Sequence, residues 1–299
     1  MAGFTTSLTD YTEKATEMLR AGVLFADDLS NYSIQQGIQY KEYLNFISAD
    51  PHVQAGACGL AASGDTTLTE STIEVVTYAY RDQFCKNDLV KKALSIPGGT
   101  LNGDFGPLVE NSLTQAEIAA IKKDVEVDLW LGTSGMIDGW ITNLSGATGA
   151  ISLDTYTATT VTSTNVDDVV DDFIDNINDA MWSRGVLTLH CSVAIYNMYK
   201  RNRLYANYYR DADATMGPFE MPVFGYENQI KIKGEPGLAG SNYMILTWDK
   251  NLYIGTDELG EVSSAEWYFN PSTKYLEFSA DFKLGTQIAF PAEAIHNMY

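Results

Sequence analysis

The stretch Thr114–Gly132, Thr-Gln-Ala-Glu-Ile-Ala-Ala-Ile-Lys-Lys-Asp-Val-Glu-Val-Asp-Leu-Trp-Leu-Gly, constrains the chain most. It reads as one long helix with both ends encoded, and such a helix fixes an axis on which the remaining elements must pack. Thr114 followed by Glu117 has the form of a capping box, and Gly132 is placed to end the helix in the left-handed region. Ile118, Ile121, Val125 and Leu129 recur at helical spacing, so one stripe faces a core. Glu117, Lys122, Lys123, Asp124, Glu126 and Asp128 are expected on the other faces.

At 299 residues the chain has room for one large domain or two lobes. Hydrophobic residues make up 45% and charged residues only 19%, so much of the surface must be polar without charge, which suits extensive protein contacts. The formal net charge of −20 sets up a field that repels phosphate. Gripping nucleic acid by counterion release is thereby disfavoured, whereas enclosing it is not. No segment approaches the ~20 apolar residues of a membrane span, and the first residues lack the basic and apolar regions of a signal peptide, so a cytoplasmic protein without membrane contact is expected. Cys58, Cys85 and Cys191 are too few and too widely spaced for a disulfide framework.

In chain order, residues 1–36 read as a short capped helix followed by an arm. From Gly37 to Arg81 the period changes to two: Ile38, Tyr40, Glu42, Leu44 and Phe46 alternate with their neighbours, as do Ile73, Val75, Thr77 and Ala79. Between these runs, Pro51 to Thr69 holds Gly56, Gly59 and Gly64. The pattern predicts a long two-stranded excursion, marginal in water by itself, which needs another surface to lie on. A glycine-rich connector follows over 82–113, then the long helix. A second helix is expected from Asn165, as its cap, to about Met181, with Val166, Val169, Val170, Phe173, Ile174 and Ile177 on its apolar face. A buried strand, Val186–Cys191, leads to a helix ending in Lys200-Arg201-Asn202-Arg203. Strands are expected over 228–233, 243–247, 251–255, 265–269, 275–283 and 287–290. The class is α+β with mixed or antiparallel sheets.

This order of elements resembles the major capsid protein of tailed double-stranded-DNA bacteriophages, the phage-capsid (Hong Kong 97-like) fold. The resemblance implies an N-terminal arm at 1–36, an extended β-hairpin loop at 37–81, and a peripheral domain with the long spine helix at 82–147. It further implies an axial domain at 148–240 and return strands of the peripheral domain at 241–299, including Ser241-Asn-Tyr-Met-Ile-Leu-Thr-Trp and Gly285-Thr-Gln-Ile-Ala-Phe-Pro291. The implied function is structural: copies of the chain self-assemble into hexamers and pentamers that form an icosahedral head. Its partners would be itself, portal and scaffolding proteins, and packaged DNA enclosed without sequence-specific binding. Its place would be the virion capsid, assembled in the bacterial host cytoplasm. An encapsulin-like nanocompartment shell resembles the same fold, and an acidic hydrolase or carbohydrate-binding module is the alternative from another class. Some members of the family crosslink through a loop lysine. Here the lysine between Gly37 and Tyr80 is Lys41, at the base of the loop and not its tip, so no crosslink is expected.

No catalytic, cofactor or metal site is expected, and the chain does not read as an enzyme. His190 and Cys191 are neighbours on a strand, so their side chains point to opposite faces and cannot form a nucleophile–base dyad. His52 and His296 have no ligand at metal spacing. The glycines at 98, 99, 103 and 106 are not followed by Lys-Ser/Thr, and Asp249–Gly255 lacks the pattern of a calcium loop. Asp167, Asp171 and Asp175 stack at i, i+4 spacing, where like charges cost about 0.2–0.5 kcal/mol per pair. Lys200, Arg201, Arg203 and Arg210 form the densest basic group. The expectation is that Asp167, Asp171 and Asp175 of one copy meet Lys200, Arg201 and Arg203 of the next around a ring.

Overall fold

The long helix, α1, spans Pro107–Leu131 in a computed structural model that describes residues 31–51, 64–85, 107–133, 136–153, 161–205, 219–257, 264–270, 272–273 and 275–297. It begins upstream of Thr114, at a proline whose fixed φ suits the first helical position. The capping box is therefore corrected. Thr114 is buried and its Oγ1 accepts from the Trp267 indole N–H at 3.2 Å, while Glu117, also buried, accepts from the Tyr80 hydroxyl at 2.8 Å. Two polar groups aimed at the sheet had the spacing of a cap. The C-terminal end is as expected: Gly132 has φ 76 and its N–H bonds the Asp128 carbonyl at 2.9 Å. Ile118, Ile121, Val125 and Leu129 are all buried.

A five-stranded sheet lies against α1 and the short helix α2 (Trp140–Gly146). Its strands are β1 (Ser33–Gln35), β4 (Val76–Cys85), β10 (Leu252–Gly255), β11 (Ser264–Asn270) and β12 (Tyr275–Ile288). β1 runs parallel to β10, and the other pairings are antiparallel. The two strands expected over 275–283 and 287–290 are one 14-residue strand. Gly285 makes no turn in it.

The second sheet has six strands in the order β5 (Ile151–Ser152), β13 (Ile295–His296), β9 (Ile245–Thr247), β6 (Leu187–Ser192), β8 (Ile230–Glu235), β7 (Glu220–Pro222). It is mixed, with β6 parallel to β8 and antiparallel to β9. Helices α3 (Val166–Asp175) and α5 (Val193–Tyr205) share its core through Val166, Val169, Val170, Phe173, Ile195 and Tyr199. α3 stops at Asp175 instead of near Met181, because Asn178 opens a new turn, α4 (Asp179–Trp182), by accepting from the Met181 N–H at 2.9 Å. Asn165 does not cap α3, since its Oδ1 accepts from the Thr162 N–H at 2.6 Å. The span 241–299 does not return to one sheet: β10, β11 and β12 join the first, whereas β9 and β13 are held in the second by pairing with β6 and β5.

Between β1 and β4 the chain makes a hairpin, β2 (Lys41–Pro51) and β3 (Gly64–Glu74), paired from Lys41↔Glu74 to Pro51↔Gly64. The expected alternation breaks at Val75. Ile73 and Val75 are buried, but beyond them Tyr78 is buried and Thr77 and Ala79 are exposed, so β4 presents the opposite parity to the core. The hairpin tip, the N-terminal helix of the arm, the connector glycines, His52, Cys58 and Arg210 lie outside the described residues.

Candidate assembly interface

The hairpin has two unlike faces. In its register Leu44, Phe46 and Ile73 share one face, and Tyr43, Ile47, Leu68 and Thr72 the other. The first face is anchored. Leu44 and Ile73 are buried with Ile38 and Val75, and the Phe46 ring lies 4.6 Å from Phe290 and 6.1 Å from Tyr253. On the opposite face three described residues are exposed: Tyr43 is 55% exposed, Ile47 74% and Leu68 69%, with Ile47 directly opposite Leu68. Ile47 and Leu68 thus make an exposed apolar cross-strand pair. The root of the loop therefore packs on its own molecule, while Tyr43, Ile47 and Leu68 stay exposed. Lys41 sits at the base, as expected, with its Nζ 2.6 Å from Glu74.

The structure places the charged residues of α3 and α5 on adjacent helices of one chain. Asp167 is met from within: Arg203 Nε lies 3.4 Å from its Oδ1 and Asn202 Nδ2 3.3 Å from its Oδ2. Arg203 also lies over the Tyr199 and Phe224 rings. Asp171 and Asp175 are exposed. Burial, against the attraction of Arg203 and with the repulsion of Asp167 and Asp175, raises the Asp171 pKa. Arg201 is exposed and bonds the Asn197 carbonyl, and Lys200 lies over the Tyr196 ring. The sequence therefore located both charged faces but not that Asp167 and Arg203 pair within the chain.

Two concavities lie among the described residues. A groove of about 180 Å³ between α1 and β4 is lined by Tyr78, Tyr80, Ile121, Val125, Asp128 and Phe282. There the Tyr78 and Tyr80 hydroxyls donate to Asp128 and Glu117, and burial with these bonds pushes both phenols up, away from nucleophilic phenolate. A second, of about 190 Å³, is lined by Thr72, Glu74, Asp138, Asn143, Thr286 and Gln287. Its Glu74 is tied to Lys41 and its Asn143 amide bonds the carbonyls of Asp138 and Thr286. His190 and Cys191 do point apart: His190 Nδ1 lies 2.9 Å from Glu235, whereas Cys191 Sγ reaches the Lys233 carbonyl. Burial pushes the Cys191 thiol up. His296 is buried on β13. No described helix is long and apolar enough to cross a membrane.

No family model matches the sequence, and no curated protein matches it. Solved structures do. The protein of the satellite phage P4 procapsid that includes the size determination (Sid) protein is 11% identical, with a TM-score of 0.62 over 96% of this chain and 98% of that one. The capsid of a native GTA particle matches at 10% identity and a TM-score of 0.59, over 90% and 88%. A virus-like particle from Pyrococcus furiosus matches at 12% identity and a TM-score of 0.52, over 96% and 99%. The fold is therefore that of proteins found in capsids, a procapsid and a virus-like particle. Within that class it is the Hong Kong 97-type fold of phage capsid proteins, as the order of elements implied.

Proposed function

We propose that the chain is a major capsid protein, many copies of which assemble through hexamers and pentamers into an icosahedral head around double-stranded DNA. The observation that carries this reading is the hairpin: anchored at its root on its own subunit, it holds Tyr43, Ile47 and Leu68 out to solvent on one face. Burial of this face against a neighbouring copy would remove apolar area from water at every contact of a closed lattice, so modest pairwise terms accumulate. The capsid fold supports the same reading. A formal charge of −20 suits a wall along which packaged DNA slides without sticking. Asp171 and Asp175, left exposed, face Lys200 and Arg201 of the next copy around a ring, while Asp167 and Arg203 stay paired at home. Portal and scaffolding proteins are the further partners, and assembly takes place in the host cytoplasm.

Negative-stain microscopy of the purified protein, over a series of salt concentrations up to and above ~0.15 M, tests this, since screening of the acidic surface favours association. Closed shells or capsomer rings are expected. A monomer at every salt concentration would overturn the proposal, and shells that co-purify with an enzyme in place of DNA would move it to a nanocompartment.

A further inference from the structure

A set of charged groups, with His190, Lys233 and Glu235 buried and Asp249, Lys231 and Glu220 half-buried, lies where the two cores meet. His190 on β6 is fully buried, with its ring 4.9 Å from that of Trp130 on α1 and 6.0 Å from that of Tyr32. Its Nδ1 lies 2.9 Å from Glu235 Oε1 on β8, and its Nε2 lies 3.5 Å from Asp249 Oδ1 in the 3-10 turn Asp249–Asn251. Lys233 Nζ is 3.0 Å from the same Glu235 oxygen, and Lys231 Nζ is 3.1 Å from Asp249 and 3.9 Å from Glu220 on β7. Thr188 on β6 faces Asp249. An imidazole with a carboxylate at each nitrogen is satisfied on both sides only when both nitrogens carry protons.

The N-terminal segment is fastened to this set. The Tyr32 hydroxyl donates to Glu235 Oε1 at 3.0 Å, its ring lies 5.5 Å from Lys233 Nζ, and its carbonyl accepts from Lys250 Nζ at 3.2 Å. Immediately afterwards β1 pairs with β10, and Ile38 N–H and Thr256 N–H close bonds to Thr256 and Gln35 carbonyls.

We propose that His190, Glu235 and Asp249 form an ionic latch fastening the root of the N-terminal segment at Tyr32 to the six-stranded sheet, and that loss of the His190 proton loosens it. With the imidazolium present, three cations face the three carboxylates of Glu220, Glu235 and Asp249. Without it one negative charge of the set is left over, and a ring lone pair faces a carboxylate. Burial pulls the His190 pKa down, but the hydrogen bond to Glu235 and the charges of Glu235 and Asp249 outweigh it, and the pKa ends above the ordinary 6.5. The latch is accordingly whole below 6.5 and is lost as pH rises through the folded pKa. It is a property of the single chain and holds whether or not the shell proposal does.

Hydrogen exchange at the Ile38 and Thr256 amides of the full chain, corrected for intrinsic rate, reads the opening of β1 directly. Across about pH 6 to 9 the opening constant is expected to climb by up to about tenfold per pH unit and then level off at the folded midpoint. In His190→Gln it should be high and flat. A wild-type constant that does not change with pH, or a variant that keeps the slope, overturns the latch. Should the glutamine variant fail to fold, Tyr32→Phe removes only the hydroxyl. It should open β1 about tenfold more at every pH, since the lost bond is to a charged group, and no change would refute the fastening. Imidazole NMR on a chain with three histidines gives an independent reading: a His190 midpoint at or below 6.5 would also overturn it.

Discussion

A Cβ at Gly285 would lie 2.0 Å from the Glu74 carbonyl oxygen, so only glycine lets β12 pass against the root of the hairpin. Gly285→Ala must push backbone against backbone, and overpacking of this kind costs about 1–3 kcal/mol. Thermal denaturation should show that loss. Gly146→Ala, at the end of α2 where nothing lies within 4 Å of the added methyl, should be neutral to within about 0.5 kcal/mol. Equal melting of the two variants would contradict the close approach. From sequence alone Gly285 stood between two expected strands, because a glycine in a strand pattern marks a turn, a bulge or a close contact without saying which. Thr114 and Glu117 were misread for a related reason: an i, i+3 pair is the spacing of a cap and also of one helix face, and the indole of Trp267 that claims Thr114 is remote in sequence.

At the level of elements, apolar stripes were legible and boundaries were not. Val166, Val169, Val170, Phe173 and Ile174 announced the buried face of α3, yet its stop depended on which of several asparagines turned its side chain to which N–H. The hairpin was legible as period two, but alternation states that there are two faces and not which one has a partner. That came from Phe46 meeting Phe290, a long-range contact. Ile47→Lys combined with Leu68→Lys is the corresponding test. Both side chains are exposed, so the melting of the single chain should move by no more than about 0.5 kcal/mol. Light scattering and sedimentation should show particle yield falling sharply, because charge is placed where a neighbour would bury apolar surface. Leu44→Ala, on the anchored face, should instead cost about 2–5 kcal/mol within the chain. Wild-type yield from the lysine double variant would remove the outer face from the assembly surface.

The whole molecule carries a formal charge of −20 and also holds carboxylates whose pKa values are shifted in opposite directions, so its stability must peak at a pH set by their balance. Glu117 is raised by burial, only partly offset by the Tyr80 hydroxyl, and Asp171 is raised by burial and by the acidic side chains beside it. A carboxylate with a raised folded pKa opposes folding when ionised and ceases to do so as pH falls, and relief of the general repulsion has the same sign. Glu235 and Asp249 act oppositely. Burial would raise them, but His190 and the lysines outweigh it and hold both below their ordinary values of 4.5 and 3.8. Their contribution is present above those values and disappears as pH falls through the lower folded ones. The His190 contribution is whole below 6.5 and fades above it. Stability should therefore rise as pH drops from 8, reach a maximum between about pH 5 and 6, and fall steeply below about pH 4. Calorimetric Tm values from about pH 3 to 9 measure this, with added salt expected to help more at pH 8 than at the maximum because the repulsion is then larger. A maximum at pH 8 or above would mean that the buried histidine and the raised carboxylates do not govern the curve.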